Sequence, residues 1–462
     1  MDRFKWFVNK SGIQYKQHQH DGVKWCLNNE LSKNQVRGGF IADEMGLGKT
    51  ITTIGLLISN FMLKTLIVLP NVLIQQWVNE ISRTTGHTPL VFYGAEKNSI
   101  TMEQLRAAPI IITSYSHISV SAEKVDDPPE KILHMVQWNR IIFDEAHHLR
   151  NKNARYWGAK KLNSPIKWLI SGTPIQNKRR DFYNLCSVVG LPSSYYTNSD
   201  NMDELLNSYV LRRTKSQVGI KLPNIELDCN NVKWATEDER VLSEDIHNSI
   251  RLADSVEKLS LIIKARQTCI LPAMLKKSMQ SMIDDNIIVK NDIHDAALSF
   301  SSKLDAVIDL LLSRRENGNG KLIFCHFREE IDAIVSRLRG SGVTSVSTFD
   351  GRSSLNKRAE TLRENNEFLV LQIQTGCEGL NLQRDFSEVY FVSPNWNPAV
   401  EEQAIARCHR IGQKKPVHVF RFQMTSYQRI DSISEDTLPL SLDQYIQNIQ
   451  SSKRVIIGEI IH

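Results

Sequence analysis

The sequence predicts an α/β protein of two lobes, each built on a parallel sheet, with a helical insert and connector between them. Three observations carry this. Short β-branched runs of strand length recur towards both ends of the chain, helix-patterned segments separate them, and a middle stretch keeps helical spacing but loses the runs. Apolar runs of that length suit strands buried on both faces. Strand–helix alternation collects such strands into a parallel sheet covered by helices.

In the first lobe the strand candidates are Gly39–Asp43, Thr65–Pro70, Pro89–Tyr93, Ile110–Tyr115, Arg140–Asp144 and Lys167–Gly172. Between them, Lys49–Met62 and Val72–Arg83 carry amphipathic helical spacing. From about Gln176 to Ser302 strand-like runs largely vanish and helical spacing takes over, as in Lys258–Lys276. Lys277–Ser302 is the most polar part and predicts a flexible seam. The second block opens with helix Lys303–Arg315, which passes through the turn signal E-N-G-N-G into strand Lys321–Phe327. Ser345–Phe349, Phe368–Gln374, Glu388–Ser393 and Val417–Gln423 follow as strands. Arg328–Arg339, Leu355–Asn365 and Pro398–His409 are the helices between them. Ser441–His462 predicts one amphipathic tail helix with an apolar end.

At 462 residues the chain can bury a large core without disulfides or a structural metal. Fifty-seven Lys and Arg against 51 Asp and Glu leave +6, a surplus that permits a polyanionic partner without requiring one. Seven scattered cysteines contain no C-x-x-C pair, which argues against zinc and against a disulfide framework, and fits a reducing, intracellular compartment. The N-terminus has no apolar run of signal-peptide length. The greasiest stretch, Ile51–Pro70, is broken by Asn60, Lys64 and several Thr, so a soluble protein with no membrane partner is expected.

Four motifs carry chemistry. A-D-E-M-G-L-G-K-T, Ala42–Thr50, lies between a strand and a helix, the place for a phosphate loop. Its glycines let main-chain N–H groups close on phosphate oxygens, and the helix N-terminus adds partial positive charge. Lys49 would reach the β- and γ-phosphates and the Thr50 hydroxyl would ligate Mg2+. The strict G-x-x-x-x-G-K-[ST] pattern fails at its first glycine, where Asp43 stands. I-I-F-D-E-A-H, Ile141–His147, ends a strand with two adjacent carboxylates. Asp144 would hold Mg2+, and Glu145 would orient or deprotonate the attacking water. Alone, such a pair reads as a solvated acidic turn; downstream of a phosphate loop it reads as nucleotide hydrolysis. L-I-S-G-T-P-I-Q-N, Leu169–Asn177, offers the hydroxyls of Ser171 and Thr173 as γ-phosphate sensors. E-Q-A-I-A-R-C-H-R-I-G-Q, Glu402–Gln413, places Arg407 and Arg410 three apart, on one face of a helix. Arginines suit the charge that spreads over a phosphoryl group in its transition state, although on an anonymous helix they would be a solvated face. His147–His148 has no partner spacing for zinc; His147 is expected to hydrogen-bond toward the Ser171 turn instead.

Taken in order, these motifs resemble motifs I, II, III and VI of the Swi/Snf-type helicase-like ATPases of helicase superfamily two. Further segments fill the gaps: Tyr15–Trp25 resembles the entry motif, Leu66–Trp77 motif Ia, Ile112–Tyr115 motif Ib, Lys321–Phe327 motif IV and Val370–Leu382 motif V, with W-N-P at Trp396–Pro398. L-R-R-T-K (Leu211–Lys215), Leu222–Pro223 and Ala265–Leu275 are similar to the family's helical protrusion. The resemblance spans about residues 13 to 457. Motif V departs from it, with Cys377 and Glu378 where small residues and glycine are usual.

The resemblance implies two RecA-like lobes: an ATP-binding lobe over 1–176, the helical protrusion and connector over 177–302, a C-terminal lobe over 303–424 and a helical tail over 425–462. It implies ATP and Mg2+ as cofactors. ATP would lie against Asp43, Glu44, Met45, Gly46, Leu47, Gly48, Lys49 and Thr50, with Gln19 reading adenine. Asp144 and Thr50 would hold the metal. Lys49, Asp144, Glu145, Arg407 and Arg410 would be catalytic, with the arginines supplied by the second lobe. His147, Ser171, Thr173, Gly379 and Gln403 would couple nucleotide state to the rest of the chain. Double-stranded DNA is the implied partner, contacted through its backbone near Thr113, Ser114, Thr375 and Trp396. The implied function is a DNA-dependent ATPase that translocates on or remodels duplex DNA, as in chromatin remodelling. A strand-separating DNA or RNA helicase and a catalytically weak nucleic-acid scaffold are the alternatives.

Overall fold

In a computed structural model the chain divides into two compact units, residues 1–221 with 456–462 and residues 222–455. The structure describes residues 2–172, 179–254, 257–285, 287–289, 291–352, 360–361, 364, 366–376, 380–427 and 440–461, with no side chain described at 251, 375, 376 or 455–461.

The first unit holds β1 (Arg37–Ile41), β2 (Thr65–Leu69), β3 (Leu90–Phe92), β4 (Ile110–Ser114), β5 (Arg140–Asp144), β6 (Ile166–Ile170) and β7 (Val210–Leu211). Their order in the sheet is β3-β4-β2-β5-β6-β1-β7, parallel throughout. Alternate residues of each strand face opposite layers. Phe40, Leu66, Val68, Ile111, Phe143 and Leu169 join one apolar cluster, whereas Ile41, Ile67, Leu69, Ile112, Ile142 and Ile170 join another on the other face. The near-continuous apolar runs follow from that double burial. Inside the second layer Glu30 is fully buried. Its oxygens accept from Arg140 Nε (2.6 Å), Arg140 Nη2 (2.5 Å), Trp168 Nε1 (2.8 Å) and Asn60 Nδ2 (2.7 Å). These donors surround the buried carboxylate and replace the water it has lost.

The second unit holds β8 (Ile225–Val232), β9 (Gly320–Cys325), β10 (Val346–Phe349), β11 (Phe368–Gln372), β12 (Phe386–Phe391) and β13 (Val417–Met424), ordered β10-β11-β9-β12-β13-β8 and again parallel. Helices Ser302–Ser313 and Arg328–Gly340 cover one face, and helix Leu442–Ile461 contributes buried Leu442 and Ile446 to the same core. Lys303, also fully buried, donates to Ser393 Oγ at 2.9 Å and to Asp443 of that last helix. The two α/β sheets agree with the expected fold class.

Three expectations change. The middle stretch contains β8, whose I-E-L-D-C-N-N-V side chains are mostly exposed. It is a strand because its backbone pairs with all of β13, at the sheet edge where apolar side chains are not required. Lys277–Ser302 is not merely a polar seam. It forms helices Met279–Asp284 and Asp292–Ala297, and Met279, Met282, Ile288 and Ala297 are buried in the second unit's core. L-R-R-T-K belongs to no helix: Leu211 closes β7 against β1, and the residues after it run along the phosphate loop of the first unit. The expected helix Leu355–Asn365 lies largely outside the described residues.

Candidate active site

Parallel strands bring their C-terminal ends to one edge, and three of the motifs meet there. Ile41 and Asp144 are both in register with Ile170, from opposite sides of β6. The phosphate loop leaves β1, the acidic pair leaves β5, and Ser171 follows β6 between them. Ser171 is buried, and its N–H donates to the Ile41 carbonyl at 3.2 Å.

The loop Asp43–Gly48 feeds helix Lys49–Ser59, in which Lys49 and Thr50 are the first two residues. Gly46 and Gly48 have φ of 90° and 84°, conformations that L side chains rarely adopt. A Cβ at Gly48 would also lie 2.3 Å from Gln19 Nε2. Lys49 Nζ donates to the Asp43 carbonyl at 2.9 Å, which folds its ammonium back over the loop. Leu47 is buried, and its carbonyl accepts from His18 Nε2 at 3.0 Å and from Gln19 Nε2 at 3.1 Å. Met45 packs over Gly172, where a Cβ would come within 2.8 Å of Met45 Cγ and 3.2 Å of Lys49 Nζ.

Asp144 and Glu145 are held differently. Asp144 accepts from Trp77 Nε1 at 2.7 Å and from the Glu145 N–H at 2.9 Å, while its carbonyl accepts from Tyr115 Oη at 2.7 Å. Burial first, and the Glu145 charge second, push its carboxyl up to about 7, against the pull of Trp77, the Glu145 N–H and Lys49. Glu145 sits at φ 49° and ψ 49°, a left-handed backbone that costs a non-glycine residue on the order of 1 kcal/mol and re-aims its side chain. His147 Nδ1 approaches Glu145 Oε2 at 3.3 Å, and its ring stacks on His148 with centroids 4.7 Å apart.

These residues fit ATP and Mg2+. Gln19 Oε1 is a buried acceptor with no partner among the described residues, as a group reading an exocyclic amine requires. Mg2+ takes few protein oxygens when phosphates supply others, and the Asp144 carboxylate and Thr50 hydroxyl are the donors expected here. Among the described residues, no group of three or more His, Cys, Asp or Glu could hold a metal ion.

The second unit carries the arginine motif. Helix Pro398–Ile405 ends before it, so Arg407 and Arg410 lie on the following turns and not on one helical face as expected. Cys408 N–H and His409 N–H both donate to the Ile405 carbonyl, and Gly412 turns the chain at φ 102°. Arg410 Nη1 donates to Asn381 Oδ1, and the Arg407 carbonyl accepts from the Leu382 N–H at 3.0 Å. The end of motif V therefore docks on motif VI. Burial, then the Arg407 charge, brings Arg410 down to about 10. Arg407 Nε and Gln403 Nε2 are buried without partners among the described residues.

Of the expected DNA contacts, Thr113 and Ser114 are fully buried. Their hydroxyls are engaged with the Phe92 carbonyl at 2.9 Å and with Ser116 Oγ at 2.8 Å. Trp396 is half-buried against the core and edge-on to Tyr445 at 6.3 Å, with its carbonyl accepting from Lys453. Thr375 falls in the short helix Ile373–Gly376, and Thr173 and Gly379 lie outside the described residues.

Sequence reasoning placed Arg213, Lys215, Trp77, Tyr115 and Asn381 inside motif-like segments but gave none of them a role at the site, because each is remote in sequence from the residue it holds. Arg213 binds both oxygens of Asp43, Nε to Oδ1 at 3.0 Å and Nη2 to Oδ2 at 2.5 Å. Lys215 binds Glu44 through its main-chain N–H at 2.7 Å and its ammonium at 2.9 Å.

Comparison with known proteins gives the class. Residues 18–282 match the SNF2-related domain and residues 302–412 the helicase conserved C-terminal domain. The chain belongs to the SNF2-related family, the Swi/Snf-type helicase-like ATPases of superfamily two. Among its relatives are an uncharacterized ATP-dependent helicase of Mycoplasma genitalium (25% identical over 96% of this chain and 44% of that protein) and the ATP-dependent DNA helicase DDM1 of Arabidopsis thaliana (27%, 89% and 59%). A third is SWI/SNF-related matrix-associated actin-dependent regulator of chromatin subfamily A member 1 of Mus musculus (25%, 94% and 44%). The chain spans about half the length of these relatives. No described helix is long and apolar enough to cross a membrane.

Proposed function

We propose that this chain hydrolyses ATP with Mg2+ and couples hydrolysis to translocation on, or remodelling of, double-stranded DNA. One observation carries the chemistry: Ile41 and Asp144 share register with Ile170, so phosphate loop and acidic pair leave one sheet edge together. Membership of the SNF2-related family and relatives named as a DNA helicase and a regulator of chromatin support DNA as the partner.

Gln19 would read the adenine edge, and the loop N–H groups with Lys49 would bind the β- and γ-phosphates. Bound Mg2+ would neutralise charge on those phosphates, held by Asp144 and Thr50. Glu145, aimed by its left-handed backbone, would orient the attacking water and take its proton. Arg407 and Arg410 are the proposed transition-state cations, and His147, Ser171 and Gln403 the proposed relays. The test is ATP turnover with duplex DNA, single strands, RNA and nucleosomes in parallel, beside triplex displacement and strand unwinding. Stimulation by duplex with triplex displacement is expected. Unwinding without triplex displacement would replace the translocase with a strand-separating helicase, and no turnover under any condition would leave a scaffold.

A further inference from the structure

Arg213 touches both halves of the site that the Proposed function assigns to ATP. Its Nε and Nη2 take the two oxygens of Asp43, the loop residue that replaces the usual first glycine. Its Nη1 donates to the carbonyl of His18, one residue before Gln19. Its own carbonyl accepts the Glu44 N–H at 2.9 Å, and Lys215 closes on the Glu44 carboxylate. Asp43 is almost wholly buried and the Arg213 side chain is 17% exposed, so the fork works where water competes little. Gly22 leaves it room: a Cβ there would stand 2.7 Å from Arg213 Nη2. The helix bearing Gln19 also meets the loop through neutral bonds to the Leu47 carbonyl.

We infer that Arg213 is a positioning residue of the nucleotide site, setting the distance between the adenine-reading Gln19 and the phosphate loop through its grip on Asp43 and the His18 carbonyl. Each half-site stays intact without it; what is lost is their spacing, which only a ligand spanning both halves senses. A planar fork makes three bonds in fixed directions, and lysine cannot reproduce them.

The test uses the whole chain with Arg213→Lys, Arg213→Met and the double variant Arg213→Met/Asp43→Asn. Binding of ATP, adenosine and inorganic tripolyphosphate is measured for each, with thermal melting alongside. ATP affinity is expected to fall about tenfold in Arg213→Lys, the scale of a lost charge-assisted hydrogen bond, with adenosine and tripolyphosphate each changing less than about threefold. The double variant removes both buried charges, so it should melt above Arg213→Met yet stay weak for ATP. Wild-type ATP affinity in Arg213→Lys, or in the double variant, overturns the inference. So does a loss of adenosine or tripolyphosphate binding as large as that for ATP, which marks ordinary local damage. Failure of the wild-type chain to bind ATP at all removes the Proposed function, and this inference with it.

Discussion

Lys49 and Glu145 show how little freedom the residues proposed to react keep. The Lys49 ammonium is already turned onto the Asp43 carbonyl, so phosphate oxygens would replace a bond that exists and no long side chain need be ordered afresh. Lys49→Ala should lower ATP turnover at least about 100-fold, the scale of removing one charged stabiliser of a transition state; near-wild-type turnover would contradict the assignment. Glu145→Gln keeps size and backbone but cannot take a proton. ATP binding should survive while turnover falls about 100-fold or more, and weakened binding with normal turnover would show the role misassigned. Arg410→Ala should depress turnover more than nucleotide affinity, because its charge is wanted only when the phosphoryl group is in transit; the opposite split would exclude it.

Elements place these residues by what they bury. Helix Ile74–Thr85 exists because its apolar face packs on the sheet, and the same face delivers Trp77 to the Asp144 carboxylate. The turn at Gly48 closes only without a side chain: Gly48→Ala should cost affinity for ATP, read by direct binding, both through its positive φ and through collision with Gln19. Strand β5 starts at Arg140 and ends at Asp144, so the Glu30–Arg140 pair anchors the strand whose other end carries the acidic pair. Arg140→Met leaves Glu30 buried with Trp168 and Asn60 alone. Denaturant unfolding should register a loss of about 3–5 kcal/mol, as for other broken buried pairs.

At the scale of the whole molecule, the +6 charge and the proposed DNA backbone contacts make one measurement decisive. Duplex-stimulated turnover should decline steeply from about 50 to 200 mM salt while basal turnover changes little, since only the polyanion releases counterions. A stimulation indifferent to salt would argue against backbone recognition. Both units were legible in the sequence as strand–helix alternation, because strands buried on both faces must be apolar throughout. Strand β8 was not, because an edge strand is held by its backbone. The Ala42–Thr50 and Ile141–His147 motifs were legible because each is a run of adjacent residues. The Arg407–Arg410 spacing was read on a helix, although that helix ends at Ile405 and both arginines follow it in turns.

By itself, then, the sequence determined the fold class, the order of the motifs and the residue types that nucleotide chemistry would use, since each depends on neighbours along the chain. Tertiary structure alone decided which distant groups grip them: Trp77 and Tyr115 on Asp144, Arg213 on Asp43, Asn381 on Arg410. Those partners are set by sheet order and layer packing. An ion pair 170 positions apart in the chain leaves no periodic trace for a sequence to show.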